Sequence, residues 1–192
     1  MNRRLFTFSS FAIAAAFALG ACSEKEAVAA TPTSTLTPQQ IYELAAKGNG
    51  FTVGVPMAAN TVYVFFDTTC PHCAQLWSSS KPLLGKLKIV WMPIGLLRQT
   101  SGPQGATILA AADPAAAMAL NEAAVLDRKG GIPVDGNVPE AVLAKVKANT
   151  DMFMKMGAES VPLIVFRNSK SGQYGQHAGA VDAATLAALV GL

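Results

Sequence analysis

A continuous apolar run, TVYVFFD at residues 61–67, ends just before two cysteines in the sequence CPHC. β-Branched and aromatic residues without alternation are typical of a strand that is buried on both faces of a sheet. The next segment, PHCAQLWSSSKPLLGKL, predicts a helix with a kink at Pro82, and KIVWMPIGLL predicts a second strand. Parallel pairing of the two strands needs a crossover, which this helix supplies. The sequence therefore predicts a βαβ unit with Cys70 and Cys73 just beyond the carboxyl end of its first strand.

The segments around this unit predict one mixed α/β domain over residues 37–192. TPQQIYELAAKGNG predicts a short helix with Thr37 as its N-cap. Residues 104–156 are rich in alanine and predict helices almost throughout. VPLIVFRN and GQYGQHAGAV then predict a hairpin, and DAATLAALVGL predicts a last helix capped by Asp182. The expected order is a βαβ unit, a helical insertion and a ββα unit.

The N-terminal segment has the layout of a secretory signal peptide. Arg3 and Arg4 precede an apolar stretch at residues 11–19, which is too short to span a bilayer stably. We predict that residues 1–21 are removed. Their removal lowers the formal charge from +3 for the whole chain to about +1. Nothing in this charge balance indicates binding to nucleic acid.

The end of that segment, LGAC, resembles the lipobox of bacterial lipoproteins, in which the cysteine becomes the lipidated first residue of the mature chain. The alternative is ordinary cleavage near Ala21, which would leave Cys22 as a free thiol in an oxidising compartment. We expect lipidation of Cys22 and a lipid anchor in the bacterial envelope membrane. Ser23 favours the outer membrane, by analogy with enterobacterial sorting. Residues 22–36 mix small, polar and proline residues and predict a flexible tether.

The cysteine pair could bind a metal, close a structural disulfide or exchange electrons with other thiols. Zinc needs four ligands at tetrahedral geometry, whereas Cys22 is expected to be lipidated and the two histidines are His72, inside the motif, and the distant His177. We therefore expect no metal at the pair. A disulfide between Cys70 and Cys73 would close a very small loop and would constrain the unfolded chain little. Redox chemistry is the interpretation that the residues favour.

The predicted helix gives the two cysteines different environments. Cys70 falls at its N-terminus, where unpaired backbone N–H groups and the helix dipole favour a thiolate. His72 can add a hydrogen-bond donor or a positive charge, and Pro71 loses no hydrogen bond at a first helical position. Cys73 lies one turn inside the helix. We expect it to be more buried and less ionised, and therefore suited to resolve a mixed disulfide formed at Cys70.

A C-x-x-C between a buried strand and a helix, in a βαβ and ββα arrangement, resembles the thioredoxin fold. The resemblance implies a cis-proline opposite the cysteines, at the start of the next core strand, and Val161-Pro162 stands at that place. It also implies that Val161 and Pro162 line a groove that holds an extended substrate segment through backbone hydrogen bonds.

Within this fold, residues 37–192 resemble the catalytic domain of the periplasmic disulfide isomerases DsbC and DsbG, and DsbG in particular. The resemblance rests on Asp67 before the first cysteine, on IGLLRQTSGPQGATILAAADP and on MGAESVP. It implies a cofactor-free thiol:disulfide interchange enzyme that acts on thiol- or disulfide-bearing envelope proteins. A membrane redox partner of the DsbB or DsbD type would reset it. Asp67 could tune the active site electrostatically or could simply form a turn, and the sequence does not separate these two roles.

Three departures from that branch favour an oxidase. The residues before the core strand are too few for the N-terminal dimerisation domain of DsbC and DsbG. The dipeptide Pro71-His72 is the one found in the strong oxidase DsbA, and Val161 also matches DsbA where the isomerases usually have threonine. We therefore expect an oxidase, with a DsbG-like isomerase or a reductase of oxidised cysteines as the alternative.

A copper chaperone with a thioredoxin fold is a second alternative, of a different class. Met152, Met154 and Met156 suggest it, although methionines at such spacing are more often core residues on a helix. His177 lies on the last predicted strand, and we interpret it as a surface residue or as a hydrogen-bonded residue without a catalytic role.

Overall fold

The computed structural model describes residues 34–58 and 61–192. The predicted signal peptide, Cys22 and the predicted tether as far as residue 33 lie outside these described residues. Within them, no helix is both long enough and apolar enough to cross a membrane.

A five-stranded sheet forms the centre of the fold, with the strand order β1-β3-β2-β4-β5. β2 and β3 are parallel, and the other neighbouring strands are antiparallel. The strands are β1 (Phe51–Gly54), β2 (Thr61–Asp67), β3 (Lys88–Ile94), β4 (Leu163–Arg167) and β5 (Tyr174–Ala178). The parallel pair is the predicted βαβ unit, and β4 and β5 are the predicted hairpin.

Six α-helices surround the sheet in the described part of the chain. They are α1 (Pro38–Ala45), α2 (Pro71–Ser80), α3 (Ser101–Ala110), α4 (Pro114–Leu126), α5 (Glu140–Lys155) and α6 (Ala183–Val190). Helix α2 is the crossover between β2 and β3, whereas α3, α4 and α5 form an insertion between β3 and β4. The N-caps predicted for α1 and α6 are present, because Thr37 accepts the N–H of Gln40 and Asp182 accepts the N–H of Thr185.

The unbroken apolar sequence of β2 follows from helices on both faces of the sheet. Phe65 packs against Phe153 of α5, with ring centroids 6.1 Å apart. Its neighbour Phe66 points to the opposite face and lies edge-on to Trp91 of β3, which in turn contacts Trp77 of α2. A strand covered on both faces has no solvent-facing side, so its sequence does not alternate.

Two predicted boundaries after the cysteines were wrong. The helix after the cysteines does not continue through a kink at Pro82. Instead, α2 ends at Ser80 and a 3-10 helix follows over Lys81–Leu83, because proline lacks the N–H that an α-helix needs there. The strand predicted to reach Leu97 ends at Ile94, because the N–H groups of Leu96 and Leu97 donate to the Asp67 carboxylate rather than to a neighbouring strand.

The insertion also begins earlier than predicted. Helix α3 starts at Ser101 rather than near residue 104. Pro103 lies in its first turn, where backbone N–H groups have no partner within the helix, so the proline is tolerated. The Ser101 hydroxyl donates to Asp67 at 2.7 Å, which fixes the start of the helix beside the end of β2.

Candidate active site

The two cysteines lie where β2 passes into α2. Cys70 is the N-cap residue of α2 and Pro71 is its first residue. The carbonyl of Cys70 accepts the N–H groups of Cys73 and Ala74, so the cap is closed without any N–H from the proline. Cys70 is 4% exposed and Cys73 is fully buried. The first thiol is therefore at the edge of the protein surface and the second lies beneath it.

The surroundings of Cys70 stabilise its thiolate. A hydrogen bond from the Cys73 side chain is the largest of the effects that lower the pKa of Cys70 to about 6. The backbone N–H groups of Cys73 and His72 and the charge of His72 are the other effects that lower the pKa of Cys70, and burial opposes them. His72 is exposed, and its Nδ1 lies 3.1 Å from the side-chain oxygen of Gln75. At neutral pH, Cys70 is mainly a thiolate.

Cys73 has the opposite properties. Burial raises its pKa well above the ordinary value, and the hydrogen bond to Cys70 and the negative charge of Cys70 add to the effect. Cys73 therefore keeps its proton while Cys70 loses one. This asymmetry gives one nucleophilic and one protonated sulfur within a single helical turn.

The loop before β4 meets the first cysteine. The peptide bond between Val161 and Pro162 is cis, the form that the thioredoxin resemblance implied. The sulfur of Cys70 lies 3.7 Å from the carbonyl oxygen of Val161. The structure thus brings together Cys70, Val161 and Pro162, although 91 positions separate Cys70 and Val161 in the chain.

Asp67 is completely buried and forms the most densely hydrogen-bonded group near the pair. Its Oδ1 accepts the N–H and the hydroxyl of Thr69 and the hydroxyl of Ser101. Its Oδ2 accepts the N–H groups of Leu96 and Leu97. These bonds agree with the turn-forming interpretation, and they also tie the cysteine loop to the start of α3. Electrostatic tuning by Asp67 stays a prediction.

Sequence reasoning missed the polar contacts that the insertion makes with the cysteine loop. Asn121 donates to the carbonyl of Thr68 at 2.9 Å, and the single hydroxyl hydrogen of Thr68 is shared between the backbone carbonyl of Ser101 and the side-chain oxygen of Gln104, each 3.1 Å away. Gln104 and Asn121 are both buried. The sequence gives only a weak indication of these contacts. Asn121 and Glu122 are two adjacent polar residues in the otherwise apolar helix α4.

Glu122 is another buried polar residue near the cysteines that the sequence analysis did not identify. Its side chain is 1% exposed, and Oε2 has no hydrogen-bond partner among the described residues. Burial is the main effect that raises the pKa of this carboxyl to about 8, and the charges of Cys70 and Asp67 contribute, whereas a hydrogen bond from Asn121 opposes them. Glu122 is therefore mostly uncharged at neutral pH.

The described residues contain no group of three or more His, Cys, Asp or Glu side chains that could hold a metal ion. The three methionines considered for copper do not share one environment: Met156 is fully buried in the core, Met152 is half-buried and Met154 is 52% exposed. His177 is half-buried on β5, opposite Ile164 of β4.

Residues 46–124 match the protein family described as Thioredoxin. The chain carries a thioredoxin-like domain. This match and the solved structures below confirm the predicted α/β thioredoxin-like fold with a helical insertion.

Two curated relatives confirm the likeness to DsbG. The thiol:disulfide interchange protein DsbG of Pseudomonas aeruginosa is 29% identical over 136 residues, which is 70% of this chain and 52% of the relative. The protein of the same name from Escherichia coli K12 is 31% identical over 132 residues, with 68% and 52% coverage. The chain spans about half the length of the curated relatives it matches.

Solved structures share the fold at low sequence identity. The catalytic domain of Proteus mirabilis ScsC has a TM-score of 0.63 at 16% identity, with 78% of this chain and 92% of that chain covered. A periplasmic thioredoxin-like protein from Salmonella enterica serovar Typhimurium has a TM-score of 0.61 at 17% identity, covering 78% and 93%. The thiol-disulfide exchange protein alpha-DsbA2 of Wolbachia pipientis has a TM-score of 0.60 at 16% identity, covering 79% and 91%.

Replacement of His72 tests its part in stabilising the thiolate. We expect His72→Ala to raise the pKa of Cys70 from about 6 by about half a unit, because a nearby positive charge is lost while the backbone N–H groups stay. The measurement is the pH dependence of thiolate ultraviolet absorbance in the reduced protein. His177→Ala is the matched control and should leave the titration unchanged. An ordinary cysteine pKa in the unmodified protein would contradict this description of the site.

The buried carboxyl of Glu122 should make the stability of the fold depend on pH. The pKa of Glu122 is about 8 in the folded protein and near 4.5 when unfolded, so the folded state holds a proton that the unfolded state releases. The free energy of unfolding should therefore fall as pH rises from 4.5 towards 8, by roughly 4 kcal/mol. Denaturant unfolding of the disulfide form measures this change without titration of Cys70. The fall is somewhat smaller in that form, because the charge of Cys70 that helps to raise the pKa of Glu122 is absent.

The variant Glu122→Gln cannot ionise, so its unfolding free energy should be nearly flat over the same pH range. Glu159→Gln, which removes an exposed carboxylate, should keep the slope of the unmodified protein. Equal slopes for Glu122→Gln and the unmodified protein would show that Glu122 is not the group that titrates.

Proposed function

We propose that this domain is a thiol:disulfide oxidoreductase that exchanges disulfides with proteins of the bacterial envelope through Cys70 and Cys73, mainly as an oxidase. The observation that carries the proposal is the contrast between the two sulfurs. One, at the N-terminus of α2, has its pKa lowered to about 6, and the other is buried with its pKa raised. A stabilised thiolate and a protected thiol are the two forms that a thiol exchange site needs.

The oxidase reaction begins with the Cys70–Cys73 disulfide. A substrate thiolate attacks the sulfur of Cys70, the Cys70–Cys73 bond breaks, and Cys73 leaves and takes up a proton. A second substrate thiolate then attacks the substrate sulfur of the mixed disulfide and releases Cys70 as a thiolate. The substrate gains a disulfide, and its two electrons end on the cysteine pair.

The low pKa of Cys70 supports the oxidase direction. Stabilisation of the thiolate stabilises the reduced pair, and a pair that is stable when reduced is a strong oxidant when it is a disulfide. The DsbG relatives support the alternative, an isomerase or a reductase of oxidised cysteines. In that direction, reduced Cys70 attacks a wrong disulfide or a sulfenylated cysteine, and only the partner that resets the pair differs.

Val161 and Pro162 are the proposed contact for the substrate backbone. The carbonyl of Val161 lies beside the sulfur of Cys70. The N–H of Val161 makes no hydrogen bond with another described residue. An extended substrate segment could therefore pair with Val161 while its own cysteine meets Cys70, in the manner of an added strand.

We also propose a location at the envelope membrane. Residues 1–21 would be the signal peptide, Cys22 the lipidated residue, residues 22–36 a tether and residues 37–192 the catalytic domain. The description of the Salmonella structure as periplasmic supports an envelope location. The reducing or oxidising partner would then be a membrane protein of the DsbB or DsbD type.

Single cysteine variants of the full chain test the exchange reaction. In cells, Cys73→Ser should accumulate mixed disulfides with envelope proteins, because Cys70 can still react with a substrate disulfide and the resolving thiol is gone. Cys70→Ser should accumulate none, because the remaining sulfur is fully buried. Acid trapping and non-reducing gels measure the adducts.

Cys22→Ser is the matched control, since it keeps both active-site sulfurs. It should behave like the unmodified chain in thiol exchange while losing membrane attachment. If Cys70→Ser captured as many partners as Cys73→Ser, the assignment of Cys70 as the nucleophile would be wrong.

A further inference from the structure

A basic cavity adjoins the reactive cysteine. It has a volume of about 330 Å³, and its lining includes Thr69 and Pro71, the residues directly before and after Cys70. Three cationic residues, Arg98, Arg128 and Lys129, line the same cavity. A substrate segment whose cysteine reaches Cys70 would therefore have its neighbouring residues beside these cations.

The cavity has little negative charge of its own. The guanidinium groups of Arg98 and Arg128 form no hydrogen bond or ion pair with other described residues. Lys129 pairs with Asp127 at 2.9 Å, and both side chains are largely exposed. Among the nearby acids, Asp67 already accepts hydrogen bonds at both oxygens and Glu122 is buried. Two arginine charges are thus left without a counter-ion among residues 34–58 and 61–192.

The backbone at Arg128 is a second, independent observation. Arg128 follows the last residues of α4 with φ at +60°, and among the described residues it is the one non-glycine with a positive φ. Glycine is the usual residue where a helix ends in this left-handed conformation. The chain therefore has an arginine where the backbone would prefer glycine, and the guanidinium of that arginine has no hydrogen-bond or ion-pair partner within the described part of the protein.

We propose that this cavity, lined by Arg98, Arg128 and Lys129, binds acidic side chains that flank the reacting cysteine of a protein substrate. Guanidinium groups bind carboxylates with two parallel hydrogen bonds, which favours aspartate and glutamate over neutral side chains. This inference rests on the proposed thiol exchange function and adds a substrate preference to it: cysteines in acidic segments should react faster than cysteines in neutral ones.

Paired peptides test the preference. Each peptide carries two cysteines, and the two members differ only in having Asp and Glu or Asn and Gln beside the first cysteine. The oxidised full-length protein is mixed with each reduced peptide, and the rate constant of peptide oxidation is measured in a single turnover. At low salt we expect the acidic peptide to react about 10-fold faster. Added salt should reduce the ratio, because it screens exposed charges.

Arg128→Gly is the most informative variant, because glycine suits the backbone at this position and should preserve folding. It should lower the ratio of acidic to neutral rates about 3-fold to 5-fold. Arg128→Lys, which keeps a positive charge, should lose less of the preference. The pKa of Cys70 should stay near 6 in both variants, since its lowering comes from Cys73 and His72. A lower ratio at constant pKa therefore indicates substrate binding rather than altered reactivity.

Lys86→Gln is the charge-matched control. Lys86 is exposed and precedes β3, so it lies at the end of the parallel strands away from the cysteines. Loss of its charge should leave the ratio of acidic to neutral rates unchanged. If Arg128→Gly proves unstable in thermal unfolding, Arg98→Gln makes the same test with another arginine of the cavity lining.

Equal rates for the two peptides with the unmodified protein would overturn the inference. So would a preference that persists in the Arg98→Gln, Arg128→Gly double variant, because the charge recognition would then lie elsewhere. Failure of the proposed function looks different: no peptide of either kind would be oxidised by any form of the protein.

Discussion

The buried carboxylate of Asp67 connects the parts of the chain that make up the active site. It lies at the end of β2 and accepts five hydrogen bonds, from Thr69 in the cysteine loop, from Leu96 and Leu97 after β3, and from Ser101 at the start of α3. Hydrogen bonds to a carboxylate are stronger than those between neutral groups. These bonds hold the cysteine loop, the segment after β3 and the start of α3 together beside the N-terminus of α2.

The electrostatics of the site depend on ionisation of Cys70 while its buried neighbours Cys73 and Glu122 keep their protons. Cys70 carries the charge because backbone N–H groups, His72 and the thiol of Cys73 face it. Cys73 and Glu122 stay protonated because both are buried near that charge. A further negative charge at Glu122 would be repelled by the charges of Cys70 and Asp67 and would lack water to solvate it. The unpartnered oxygen of Glu122 is thus tolerated because the group is neutral.

Local patterns in the sequence were sufficient to predict the central features of the fold. The apolar run of β2 predicted a strand covered on both faces, and the helix caps at Thr37 and Asp182 were predicted from residue type and spacing. The cysteine pair and Val161-Pro162 indicated where the site would form. These features depend on neighbouring residues, or on a resemblance that the motifs themselves carry.

Features that depend on contacts between distant residues could not be predicted. The end of β3 is set by Asp67, 29 positions before Leu96. Asn121 reaches Thr68 across 53 positions, and Arg98 and Arg128 meet in one cavity only because the insertion folds back over the cysteine loop. The lengths of these loops and the burial of Glu122 are properties of the packed structure. No hydrophobic periodicity or residue spacing in the sequence predicts these features.

The most direct test of this account is the reduction potential of the Cys70–Cys73 disulfide, measured by equilibration with glutathione buffers. A stabilised Cys70 thiolate predicts an oxidising pair, with a potential above about −180 mV. A potential near −270 mV, the value typical of thioredoxin, would contradict the account. It would mean that the thiolate is not stabilised enough to make this disulfide an oxidant.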